Sequence, residues 1–92
     1  MKSIIYLNGK LIPLERAAIS PLDYGFLYGY GVFETMRAYG GIVFRLDRHL
    51  DRLASSVVAL GIPAITFDLK EAVASMLRAN KLGSARIRIT IS

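Results

Sequence analysis

VFETMRAYGGIVFRLDRHLDRLASSVVALG, residues 32–61, contains the change of pattern that decides the fold. Val32 to Tyr39 reads as a strand, Gly40-Gly41 turns it, and Ile42 to Arg45 returns beside it as a hairpin. From there the apolar period becomes helical. Leu46, Leu50, Leu53, Val57 and Leu60 fall on one side of a helix expected over residues 47–60. Asp47 is placed to cap its start, and Gly61 and Pro63 to stop its end.

Toward the N-terminus, Ile4 to Leu7 and Lys10 to Pro13 flank Asn8-Gly9, the strongest two-residue hairpin signal. Ser20-Pro21-Leu22-Asp23 reads as one short helical turn stopped by Gly25. An aromatic stretch with interleaved glycines, Tyr24 to Gly31, then leads into the strand. Toward the C-terminus, Asp68 and Glu71 form a capping box for a second helix from Leu69 to Asn80. Leu69, Val73 and Met76 are its expected buried stripe, and Gly83 follows its end. Ala85 to Ser92 alternates strictly, with isoleucines on one face and Arg86, Arg88 and Thr90 on the other. It stops without a turn or cap, and the expectation is a truncated domain. Residues 1–92 thus read as one α+β domain, an antiparallel sheet of hairpins with two helices.

Composition narrows the function classes. Hydrophobic residues make up 53% of the 92 and charged residues 21%, which excludes a disordered chain. That apolar share is high for so small a domain and points to surface meant for a partner or a further domain. Without cysteine there is no disulfide scaffold and no thiolate metal site. The apolar run after Ser3 is too short for a signal peptide, and no stretch approaches the ~20 residues of a membrane span. A reducing cytoplasm is therefore the expected setting, with no membrane partner. The net charge of +5 contains no basic run, and arginines outnumber lysines eight to four. That bias favours fixed, bidentate recognition of phosphate or carboxylate.

Several chemistries fail on residue supply. One histidine and seven scattered acids offer no metal site. His49 lies inside a helix, and no serine sits on a nucleophile-elbow motif. Gly29 and Gly31 lack the third glycine of a dinucleotide fingerprint and precede a strand where a helix is needed. What remains is one edge of the helix over residues 47–60. His49, Arg52 and Ser56 share a strip beside its apolar face, three and four residues apart. Such a strip suits a bound phosphate, and equally a solvated rim. The aromatics Tyr24, Phe26, Tyr28, Tyr30 and Phe33 either line a pocket or pack beneath a loop. Arg86 and Arg88 either bind a carboxylate or form an exposed face.

Taken in order, these pieces resemble the N-terminal domain of the class IV, or fold-type IV, pyridoxal-phosphate enzymes. That family holds the branched-chain aminotransferases, the D-amino-acid aminotransferases and the aminodeoxychorismate lyases. The resemblance rests on Asn8-Gly9 after the opening strand, Asp23-Tyr24-Gly25, and Tyr28-Gly29-Tyr30-Gly31-Val32-Phe33-Glu34. It continues through Arg37-Ala38-Tyr39, Phe44, His49-Leu50-Asp51-Arg52-Leu53, Ser56 and Leu60-Gly61-Ile62, and so spans essentially the whole chain.

The resemblance implies pyridoxal 5'-phosphate as cofactor, with Arg52 on its phosphate and Glu34, His49 and Ser56 in support. Phe33 would line the substrate pocket, Tyr28 would reach the site across a homodimer interface, and Arg88 would hold a distal substrate carboxylate. Two positions depart from branched-chain members, which have tyrosine where this chain has Arg86 and glycine where it has Thr35. The lysine that forms a Schiff base with the cofactor lies in a following C-terminal domain in the family. Lys2, Lys10, Lys70 and Lys81 do not suit that role, so it is expected beyond Ser92, with no catalytic residue within these 92. The implied activity of the full enzyme is amino-group transfer between an amino acid and a 2-oxo acid. Aminodeoxychorismate lyase, which eliminates pyruvate with the same cofactor, is the alternative. A stand-alone basic module for nucleic acid is the rival from another class. The acids interspersed at Asp47, Asp51, Asp68 and Glu71 argue against it.

Overall fold

A computed structural model of the chain describes residues 3–92. Asn8-Gly9 takes positive φ at both positions (51° and 87°), the twist that joins two antiparallel strands tightly. It links β1 (Ile4–Leu7) to β2 (Lys10–Pro13), with Ile5 across from Ile12. A short 3-10 turn at Leu14–Arg16 and a loop lead to α1 (Tyr24–Tyr28). Then β3 (Val32–Tyr39) turns at Gly40-Gly41 into β4 (Ile42–Val43). Two long helices follow, α2 (Leu46–Leu60) and α3 (Leu69–Ala79), before β5 (Ala85–Ile91).

β5 returns antiparallel to β3 along its whole length, which gives a three-stranded sheet in the order β4-β3-β5. Alternation on both strands sets one face apolar. Met36 stands across from Ile87, Ala38 from Ala85 and Val32 from Ile91. α3 covers part of this face through Val73 and Leu77, and α2 covers the rest through Leu53 and Val57. Met36 and Leu53 are sealed completely.

The α+β class, both hairpins, both long helices and the final strand match the sequence reading. The hairpins belong to two separate sheets, however, and α1 is an additional helix. Asp23 accepts a hydrogen bond from the Gly25 amide at 2.8 Å and so starts α1, and Gly25 lies inside the helix it was expected to stop. Asp47 does not cap α2. Leaving β4 requires a left-handed Arg45 (φ 55°), so the helix starts at Leu46. Asp47 then falls in the first turn, where its charge complements the helix dipole and pairs with Lys70 of α3. Half of the capping box forms: Asp68 accepts from the Lys70 amide at 2.9 Å, while Glu71 turns to Ser75 and Arg78 instead. β4 ends at Val43, two residues short of Arg45, although the Phe44 amide still donates to the Arg37 carbonyl of β3 at 2.8 Å before the left-handed turn at Arg45 leads the chain into α2.

One contact was invisible in the sequence. The Asn80 side chain accepts from the Ile4 amide and donates to the Ile4 carbonyl, both at 2.8 Å. It acts as a strand partner and fastens the first hairpin to the end of α3.

Candidate active site

Strand alternation that buries Met36 and Ala38 also turns Glu34 inward, and Glu34 is the single buried charged residue among those described. A carboxylate there requires partners, because an unpaired buried charge is costly. α2 supplies two from the edge that the helical wheel singled out. His49 Nδ1 lies 2.6 Å from Glu34 Oε1, and Arg52 Nε donates to both carboxylate oxygens at 3.0 and 3.2 Å. Arg52 Nη2 donates to the same carboxylate. These bonds, Arg52 first and His49 second, hold the Glu34 carboxyl below its ordinary range, and Glu34 in turn raises Arg52 further. An ionised Glu34 has no proton to give, so His49 donates through Nδ1.

The consequence is an arginine fixed from behind. Its Nε edge is committed to Glu34, while Nη1 has no partner among the described residues and the side chain is 67% exposed. A guanidinium with one edge anchored and the other open is a pre-positioned donor for an anion. The donor chemistry therefore fits a phosphate group. Ser56 lies one turn beyond Arg52, half-buried, and among the described residues it bonds to neither Arg52 nor His49.

The other candidates lie elsewhere. Phe33 is next to Glu34 in sequence and so points to the opposite face of the sheet. The Arg88 guanidinium lies over its ring, 4.1 Å from the centroid, and Arg88 Nε donates to Thr90 Oγ1 at 3.2 Å. Tyr28 is on α1, exposed, with its ring edge-on to Tyr24 at 5.5 Å. It borders a groove with Tyr30, Leu60 and Ile62. The structure thus unites Glu34, His49 and Arg52, unites Phe33 with Arg88, and leaves Tyr28 apart from both groups. Lys10, Lys70 and Lys81 are all exposed, and Lys2 lies outside the described residues.

Two of the interleaved glycines have a packing role. A Cβ on Gly25 would sit 2.7 Å from Ser92 Cβ, and one on Gly31 would sit 2.9 Å from the Ile91 carbonyl oxygen. They admit the end of β5, where Ser92 Oγ donates to Asp23 at 2.7 Å and, with the Gly25 amide, lowers the Asp23 carboxyl. No local pattern marks Ser92 for this role, because its partner is distant along the chain.

Residues 31–92 match the family model of the class IV amino-transferases. Over 90 residues the chain is 44% identical to a Methanocaldococcus jannaschii protein provisionally named a branched-chain-amino-acid aminotransferase, covering 96% of this chain and 31% of that one. It is 41% identical over 93 residues to the aminodeoxychorismate lyase of Bacillus subtilis, covering 97% and 32%. Among solved structures, the T.th. branched-chain amino acid aminotransferase with pyridoxamine 5'-phosphate superposes with a TM-score of 0.86 at 34% identity, covering 98% and 32%. The chain therefore spans about a third of the length of these relatives. On sequence and on backbone alike, it belongs to the class IV amino-transferase family.

Proposed function

We propose that the enzyme containing this chain transfers an amino group between an amino acid and a 2-oxo acid with pyridoxal 5'-phosphate. The observation that carries this reading is the anchored guanidinium of Arg52, with its open edge, in a chain of this family. The solved relative that holds pyridoxamine 5'-phosphate supports the choice of cofactor. When bound, that cofactor withdraws electrons from the substrate carbon that loses its proton.

This chain's share is binding and orientation. Arg52 grips the phosphate, Glu34 and His49 fix its guanidinium plane, and Ser56 supports the same edge. Phe33 and Arg88 face the substrate from the outer side of the sheet. Tyr28 is exposed on α1, as a side chain reaching toward a second protomer must be, and we assign the enzyme as a homodimer on that basis. The described lysines are exposed and Lys70 is paired with Asp47, so the covalent lysine belongs to a C-terminal domain beyond Ser92. Residues 1–92 are then the N-terminal domain.

A second reading, aminodeoxychorismate lyase, is favoured by the Bacillus subtilis relative. One assay separates the two. Pairing an amino donor with several 2-oxo acids should give the corresponding amino acids. Silence with every acceptor, together with pyruvate release from aminodeoxychorismate, would replace transfer by elimination.

A further inference from the structure

α1 has five residues and none of them is buried; Tyr24, Phe26, Leu27 and Tyr28 all face solvent. A helix this short is marginal by itself, and apolar burial does not set where it sits. Polar ties at its two ends do. At the start, one carboxylate oxygen, Asp23 Oδ2, accepts from the Gly25 amide at 2.8 Å and from Ser92 Oγ at 2.7 Å. Asp23 Oδ1 lies 3.0 Å from the same hydroxyl. At the end, the Tyr30 amide donates to the Tyr24 carbonyl at 3.2 Å, and the Tyr30 hydroxyl donates to the Leu60 carbonyl at the end of α2.

Ser92 reaches Asp23 from a defined place on the sheet. It continues the alternation that turns Arg88 and Thr90 outward, and Thr90 stands across from Phe33. The bare Cα atoms of Gly25 and Gly31 leave it the space to do so. The contact thus fastens α1 to the end of the sheet face that carries Phe33 and Arg88. From Asp23 the constraint passes to the adjoining Tyr24, whose ring meets that of Tyr28 edge-on.

We infer that Asp23 and Ser92 are positioning residues, which lock α1 to the end of β5 and so set the direction in which Tyr28 leaves the surface of its protomer. A hydrogen-bonded carboxylate suits this task better than packing does, because it fixes the helix while leaving its aromatic side chains free to meet other groups. The inference rests on the proposed function in taking Tyr28 as a substrate-pocket side chain. Neither Asp23 nor Ser92 needs to touch substrate or cofactor.

The test is a double-mutant cycle in the full-length protein, read by amino-transfer kinetics and by hydrogen exchange without substrate. Ser92→Ala should lower kcat/KM about tenfold, mainly through KM, yet less than about twofold in a Tyr28→Ala background. Asp23→Ala should match Ser92→Ala. Asp23→Asn keeps one oxygen for both donors and should restore kcat/KM to within about threefold of wild type. The Leu27 and Gly29 amides, which bond to the Asp23 and Gly25 carbonyls, should exchange about tenfold faster in Ser92→Ala, while the β3 amides keep their protection. Equal loss from Ser92→Ala in both Tyr28 backgrounds, no rescue by Asp23→Asn, or unchanged α1 exchange would each overturn the inference. If the wild-type protein transfers no amino group but α1 exchange quickens in Ser92→Ala and not in Asp23→Asn, the lock stands and the transfer reading fails.

Discussion

Replacing Glu34 by Gln tests the cluster beneath Arg52. The substitution keeps the shape of a side chain that is 9% exposed, but it removes the charge and turns N–H donors toward donors. The His49 contact, at 2.6 Å with a ring 19% exposed, is a charge-assisted hydrogen bond worth about 1.5–3 kcal/mol. A neutral amide retains part of that, which leaves a loss of about 1–2 kcal/mol. The Arg52 contact adds little to this, because solvent screens an exposed guanidinium. Hydrogen exchange of the β3 amides reports this as roughly tenfold faster opening at pH 7. The pH dependence carries a sign. The folded Glu34 pKa lies below its ordinary value of 4.5. Its contribution is therefore complete above about pH 4.5 and lost as pH falls through the folded value, where wild type and variant converge. A difference between them that stays constant or grows on acidification would refute the assigned ion cluster.

Other perturbations follow from individual contacts. Leu53→Ala empties a position 1% exposed between α2 and the sheet, and should cost about 2–5 kcal/mol in denaturant unfolding. Asn80→Ala leaves the Ile4 amide and carbonyl unpaired, so exchange across β1 should quicken by an amount matching about 2 kcal/mol, while β5 is unaffected. Gly25→Ala forces a methyl to within 2.7 Å of Ser92 Cβ and should destabilise by about 1–3 kcal/mol. Gly83→Ala meets only open space, and thermal melts should separate the two variants clearly.

The parts legible in the sequence are those fixed by local periodicity. β3, α2 and β5 each carry one dominant period, and Asn8-Gly9 and Gly40-Gly41 admit few other conformations. A helical wheel was enough to place His49 and Arg52 on one edge of α2. It could not show what they face, because Glu34 approaches from a strand fifteen residues earlier and its register depends on the packed sheet. Its supporting role came only from the family resemblance. Arg86 could be weighed as a carboxylate binder from its strand face alone, but that Arg37 stands across from it emerges only once β3 and β5 pair. Asn80 resembled a plain helix terminus, since its partner Ile4 lies at the other end of the chain. Asp47 and Gly25 misled because capping depends on backbone geometry at Arg45 and Asp23 as much as on residue type.

The central claim is that Arg52, oriented by Glu34 and His49, binds the cofactor phosphate. Its most direct test is the dissociation constant of pyridoxal 5'-phosphate from the full-length protein, measured by equilibrium dialysis for wild type, Arg52→Gln and Glu34→Gln. Arg52→Gln should weaken retention by at least about tenfold, with Glu34→Gln intermediate. Unchanged retention in Arg52→Gln, or no cofactor bound by the wild-type protein, would contradict it.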